Sequence, residues 1–276
     1  MSEKIPECVS VMWVAFLASA IACLGLSSPS LAGAILQPEG QGQIIVSGRF
    51  EQSDQFFDAQ GRLRPVRDYR KFEIQAWMEY GYSKKLTLIL APATTRLQTS
   101  QPPTPVSPEM RIRDTYGHLE AGGRYHLADF AGGVLSVQAT GRVAQELTGA
   151  TRGLRQDRNE ADARLLYGRS FQVWRWAGYF DLQTGYRLRA GAANEWRTDM
   201  TLGFHLRPGW TMIWQVFNLV AWRTTREPAK RSHKLQTSLV YKINDAWSIQ
   251  AGTFATIAAQ NARWDKGFVA AVWRRF

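Results

Sequence analysis

From residue 40 onward, apolar and polar residues alternate with a period of two, and no helical period of apolar positions persists. In "DYRKFEIQAWMEYGY", Phe72, Ile74, Ala76, Met78 and Tyr80 fall on one face and Lys71, Glu73, Gln75 and Glu79 on the other. Successive strand side chains point to opposite sides, so this stretch predicts a two-faced strand. The same reading recurs along "HLEAGGRYHL", "LSVQATGRV", "EADARLLYG", "YFDLQTGYRLR" and "EWRTDMTLGFHL". With weaker segments included, twelve strands are predicted, starting near residues 42, 69, 85, 116, 134, 160, 178, 195, 210, 233, 246 and 264. Their connections alternate in length. Long polar links follow the first ("QSDQFFDAQGRLRPVR"), third, fifth and ninth segments, and short ones the second ("SKK"), eighth ("RPG") and tenth ("ND"). The sixth link ("RSFQVWRWA") is long for a turn, and the seventh ("AGAAN") is short for a loop.

A half-buried antiparallel sandwich also alternates. Three features favour a membrane barrel instead. The polar faces are charged, the segments run to about ten residues, and aromatics such as Tyr80, Tyr82, Trp174, Trp176, Trp210, Trp247 and Trp264 collect at segment ends. Hydrocarbon offers no hydrogen-bond partner, so such a sheet has to close on itself. The predicted fold class is therefore all-β, a transmembrane antiparallel β-barrel of about twelve strands. In "DKGFVAAVWRRF", Phe268, Ala270, Val272 and Phe276 share one face. This resembles the C-terminal signature of bacterial outer-membrane proteins, and the resemblance implies that Phe276, Val272 and Phe268 form an assembly signal read by the barrel-insertion machinery. Arg274 departs from that pattern, which usually has an apolar residue there, and could snorkel to the interface.

The N-terminus changes the picture of the mature chain. Lys4, the apolar run "VMWVAFLASAIACLGL" and "SSPSLAG" read as a signal peptide spanning residues 1–32, cleaved between Ala32 and Gly33, with the barrel over residues 33–276. The alternatives are a retained anchor, for which a run of about sixteen residues is short against the roughly 20 a spanning helix needs, and lipoprotein processing at Cys23, where Ala20 replaces the usual leucine. Cleavage removes Cys8 and Cys23, so no thiol remains for a disulfide, a nucleophile or zinc. The formal charge of +11 attracts anions. After export these are lipid phosphates and acidic polysaccharides, not nucleic acid. Arg152, Arg155, Arg158, Arg223, Arg226, Lys230 and Arg231, in predicted outer loops, suit lipopolysaccharide phosphates.

The predicted inward face carries Glu73, Glu79, Glu120, Arg124, Arg142, Asp162, Arg164, Asp181, Arg187, Arg189, Arg197, Asp199 and Lys242. Acid and base alternate across neighbouring segments, so the same residues fit a salt-bridged structural lumen or a charged constriction that sorts solutes. No metal or cofactor is expected: His118 and His126 share a face but lie roughly 27 Å apart at about 3.4 Å per residue. An enzyme is not expected either. None of His118, His126, His205 or His233 sits in the His-x-Ser-Asn stretch of outer-membrane phospholipases. The acids Glu195 and Asp199, with Arg197 between them, fit the paired acids of an omptin-type protease rim, but a salt-bridged rim explains them as well.

One further stretch, "YRKFEIQAWMEYGYSKKLTLIL", resembles the opening hairpins of the outer-membrane family associated with the meta-pathway of phenol degradation. The likeness covers about a third of the chain and implies transport of small molecules, with no binding residues to carry over. The function expected is a passive outer-membrane channel or carrier for a small solute. The alternatives are a structural or accessory barrel for the envelope or polysaccharide export, and a lipid-modifying enzyme.

Overall fold

The computed structural model describes residues 33–100, 111–148, 159–174, 176–225 and 227–276. The leader expected over residues 1–32 and parts of three predicted outer loops lie outside the described residues. Everything regular is strand: β1 (Gly42–Phe57), β2 (Leu63–Ser83), β3 (Leu86–Ser100), β4 (Arg111–Phe130), β5 (Gly133–Thr148), β6 (Glu160–Val173), β7 (Trp176–Arg189), β8 (Glu195–Arg207), β9 (Trp210–Ala221), β10 (Lys230–Lys242), β11 (Trp247–Gln260), the two-residue β12 (Ala262–Arg263) and β13 (Lys266–Arg275). The long strands pair antiparallel in chain order, and β13 returns to β1 with Val46 opposite Val272 and Phe50 opposite Phe268. Twelve long strands thus close a barrel with no free edge, which satisfies every strand's backbone groups without solvent.

The barrel is apolar outside and polar inside, the reverse of a water-soluble protein. Val143 is 65% exposed and Phe268 63%, whereas Asp181 is 1% exposed and Arg124 3%. Aromatics form belts at both ends of this apolar wall. At the short-turn end the Trp210 and Tyr241 rings lie 4.7 Å apart, Arg207 stacks over Trp210 at 5.1 Å, and Arg274 over Trp247 at 5.3 Å. At the other end Tyr186 meets Trp196 at 6.3 Å and Trp222 at 6.4 Å. The guanidinium of Arg274 thereby rests on an interfacial ring, which reconciles a cation with the outward face.

Several expectations change in detail. The first connection is not a long loop: β1 and β2 continue as a hairpin to Phe57 and Leu63, with Asp58 accepting the Gly61 N–H in the turn between them. Strands reach 21 residues rather than about ten, because these hairpins extend beyond a bilayer's thickness. The sixth link is short, since β6 runs to Val173 and β7 restarts at Trp176, so "AGAAN" becomes an outer connection and the alternation is regular. Lys242 does not belong to the lumen. It ends β10, is 47% exposed, and pairs with Asp245 of the short turn at 2.6 Å.

Candidate functional site in the barrel lumen

Alternation turns the polar residues of β4 to β8 inward, where they form one connected ion-pair ladder. Arg142 reaches Glu120 at 2.7 Å and Glu160 at 3.1 Å. Arg187 bridges Glu160 at 3.2 Å and Asp162 at 2.9 Å. Arg164 continues from Asp162 to Asp199, 2.9 Å away, and Arg197 stands 3.8 Å from Asp199. Arg189 joins Glu160 at 3.3 Å and pairs with Glu195. Most links cross between neighbouring or next-neighbouring strands, with Glu120 opposite Arg142 and Asp162 opposite Arg187, while Arg164–Asp162 and Arg197–Asp199 join residues two apart on one strand face.

Glu73, on β2, pairs with Lys71 at 3.1 Å and accepts the Thr95 hydroxyl at 3.0 Å. Nearer the short-turn end, Arg124 donates to Glu79 at 2.8 Å and to Gln138 at 3.0 Å. Asp181 sits at that end without an arginine. Thus all the predicted inward residues except Lys242 occupy the inner wall, and most form one network.

Four residues outside the predicted inward list are central to the wall. Glu160 meets three arginines, yet it begins its segment and so reads as a strand end. On the far side, Lys234 pairs with Asp265 at 2.7 Å and Glu51 at 3.5 Å. Neutral groups lie beside them on β8 to β10: Gln236 accepts from Arg49 at 3.0 Å and donates to Gln215 at 2.9 Å, and Gln215 donates to Thr201 at 3.3 Å. One flank of the lumen is therefore a charge ladder, and the facing flank carries amides and hydroxyls beside Arg49 and the smaller Lys234 ion-pair group.

The segment before β1 enters this interior. Residues 33–41 form a strap at the short-turn end: the Ser136 hydroxyl donates to the Ala34 carbonyl at 2.7 Å, Arg124 to the Ile35 carbonyl at 3.3 Å, and the Gln37 side chain to Glu79 at 2.8 Å. The strap leaves past Gly81, whose N–H donates to the Gln41 carbonyl at 2.9 Å. A Cβ at Gly81 would collide with the Pro38 carbonyl, so glycine is needed for this approach. Nothing in "GAILQPEGQ" signals that role.

The histidines do not assemble a site. His126 meets Asp129 at 3.0 Å, His205 meets Thr211 at 2.9 Å and His233 meets Asn218 at 2.7 Å, each on a different part of the barrel. No group of three or more metal-ligating side chains occurs among the described residues.

No family model matches the chain, and no curated protein matches it in sequence. Solved structures do match in fold. An outer-membrane channel from Pseudomonas putida F1 is similar over 91% of this chain and 100% of that one, at 12% identity and TM-score 0.65. The β-domain of the Bordetella autotransporter BrkA is similar over 86% and 100%, at 12% identity and TM-score 0.58. The NanC porin is similar over 83% and 98%, at 10% identity and TM-score 0.50. By fold the chain is an outer-membrane β-barrel, and its apolar outer wall is made for hydrocarbon.

Proposed function

We propose that the protein is a passive outer-membrane channel for small polar solutes, which pass between the charge ladder of β4 to β8 and the amide-lined wall opposite. The observation that carries this reading is that ladder side chains stay accessible to solvent. Arg142 and Arg197 remain 24% exposed and Arg189 22%, although they are ion-paired. A lumen filled to protein density would bury them as it buries Arg124, at 4%. The fold likeness to the Pseudomonas channel and the NanC porin supports the same class.

Charges of both signs along one flank, mutually neutralised, favour polar or zwitterionic solutes over strongly ionic ones. The hairpin likeness to the phenol meta-pathway-associated family supports a small molecule over a polysaccharide. Exposed Arg223 and Arg231 would meet lipopolysaccharide phosphates at the outer rim. Arg152, Arg155, Arg158 and Arg226 lie outside the described residues. Liposome swelling tests the proposal: vesicles carrying the protein should admit small zwitterions and monosaccharides and exclude large oligosaccharides. Vesicles that admit none of these overturn it.

A further inference from the structure

We infer that Asp181 is the receptor for a charged chain terminus: the α-ammonium group of Gly33, created when the leader is cut after Ala32. The inference builds on that cleavage and on the position of the strap, not on conduction. Asp181 is 1% exposed, accepting the Ala34 N–H at 2.7 Å and the Gln183 amide at 2.8 Å. Asp162 and Asp199, on the same inner wall, each hold an arginine at 2.9 Å. Asp181 forms no ion pair among the described residues. A buried carboxylate with neutral partners alone lacks the compensation that buried charges normally find.

The nearby cation is already committed, since Arg124 pairs with Glu79 and donates to the Ile35 carbonyl. Gly33, by contrast, is packed against the carboxylate. A Cβ built on Gly33 would lie 3.2 Å from Asp181 Oδ1, and the Gly33 nitrogen is one residue from the N–H that Asp181 already holds. In the precursor that nitrogen is a neutral peptide amide. Hydrolysis of the Ala32–Gly33 bond turns it into an amine, which takes up a proton and supplies the missing positive charge. Asp181 therefore distinguishes processed from unprocessed chain, and the strap docks fully only after export.

The test is brief acetylation of the processed barrel in detergent with a water-soluble amine-reactive ester, read by mass spectrometry of the N-terminal peptide, with Lys84 as internal reference. Two variants accompany it: Asp181→Asn, and an insertion of two serines after Ala32 that moves the amine away without touching the barrel. The Gly33 amine should react about tenfold more slowly than the terminal amine of either variant, because an opposite charge within about 4–6 Å holds an amine in its unreactive charged form. Should Asp181→Asn fail to fold, the insertion variant decides. Equal reactivity in the parent and the insertion variant, or a processed chain that does not begin at Gly33, overturns the inference. Swelling and conductance do not enter this readout, so its failure and that of the channel reading are distinguishable.

Discussion

Gly42 and Phe276 exchange two backbone hydrogen bonds, Gly42 N–H to Phe276 O at 2.7 Å and Phe276 N–H to Gly42 O at 3.0 Å, closing the seam between β1 and β13 at the short-turn end. The Phe276 side chain is 56% exposed and shares the outer face with Phe268 and Val272. The terminal phenylalanine thus has a structural place, and we propose that the same outward face is what the barrel-insertion machinery reads. Removing Phe276 should lower the amount of assembled barrel several-fold while Arg275→Ala leaves it nearly unchanged. Quantifying heat-modifiable protein in outer-membrane fractions checks this. Equal assembly of the two variants would remove the signal role.

The pair Arg124 and Glu79 is the most enclosed ion pair among the described residues of the wall, at 4% and 9% exposure of the side chains. Removing one member of a buried pair leaves the other charge uncompensated, at a cost of about 3–5 kcal/mol. Arg124→Ala is expected to lose roughly that much in urea unfolding of the refolded barrel. The double variant Arg124→Ala, Glu79→Gln should lose less than the two single losses together.

Selectivity should follow the exposed end of the ladder. Among the described residues Arg197 has one ion-pair contact, at 3.8 Å, so Arg197→Gln removes a cation at small structural cost. A unit charge about 4 Å from a passing ion contributes about 1 kcal/mol in water. The permeability ratio should therefore move toward cations by about fivefold at low salt and much less in molar salt, where the Debye length is about 3 Å. Reversal potentials in salt gradients measure the ratio.

The β1–β2 turn makes a pH prediction outside the membrane. Asp58 accepts the Arg62 and Gln60 N–H groups, each at 2.9 Å, and the Arg62 and Arg64 guanidinium groups. The Arg62 backbone N–H first, then these other donors, hold its carboxyl down to about 2 from an ordinary 3.8. Because the folded value is depressed, the turn's stabilisation is complete above pH 3.8 and is lost as pH falls through about 2. Amide exchange at Gly61 and Arg62 should stay protected at pH 3 in the parent and be fast in Asp58→Ala.

Period two made the membrane wall legible, because each residue there must face either oil or the lumen. The predicted starts of β6, β8 and β9 coincide with Glu160, Glu195 and Trp210. The pattern weakens where both faces of a hairpin meet water, which is why the outer parts of β1 and β2 read as a loop. Ladder membership was legible for Glu120, Arg142, Asp162 and Arg187, since alternation puts them on the polar face and register sets them opposite one another. The strap was not, because its position depends on Gly81, Glu79, Ser136 and Asp181, distant in sequence and joined only when the barrel closes.

The channel reading is tested most directly by single-channel recording of the processed protein in planar bilayers under a potassium chloride gradient. Stepwise conductance is predicted, with a reversal potential that shifts toward cation selectivity in Arg197→Gln. A barrel that inserts stably and passes no current under any gradient would contradict the account.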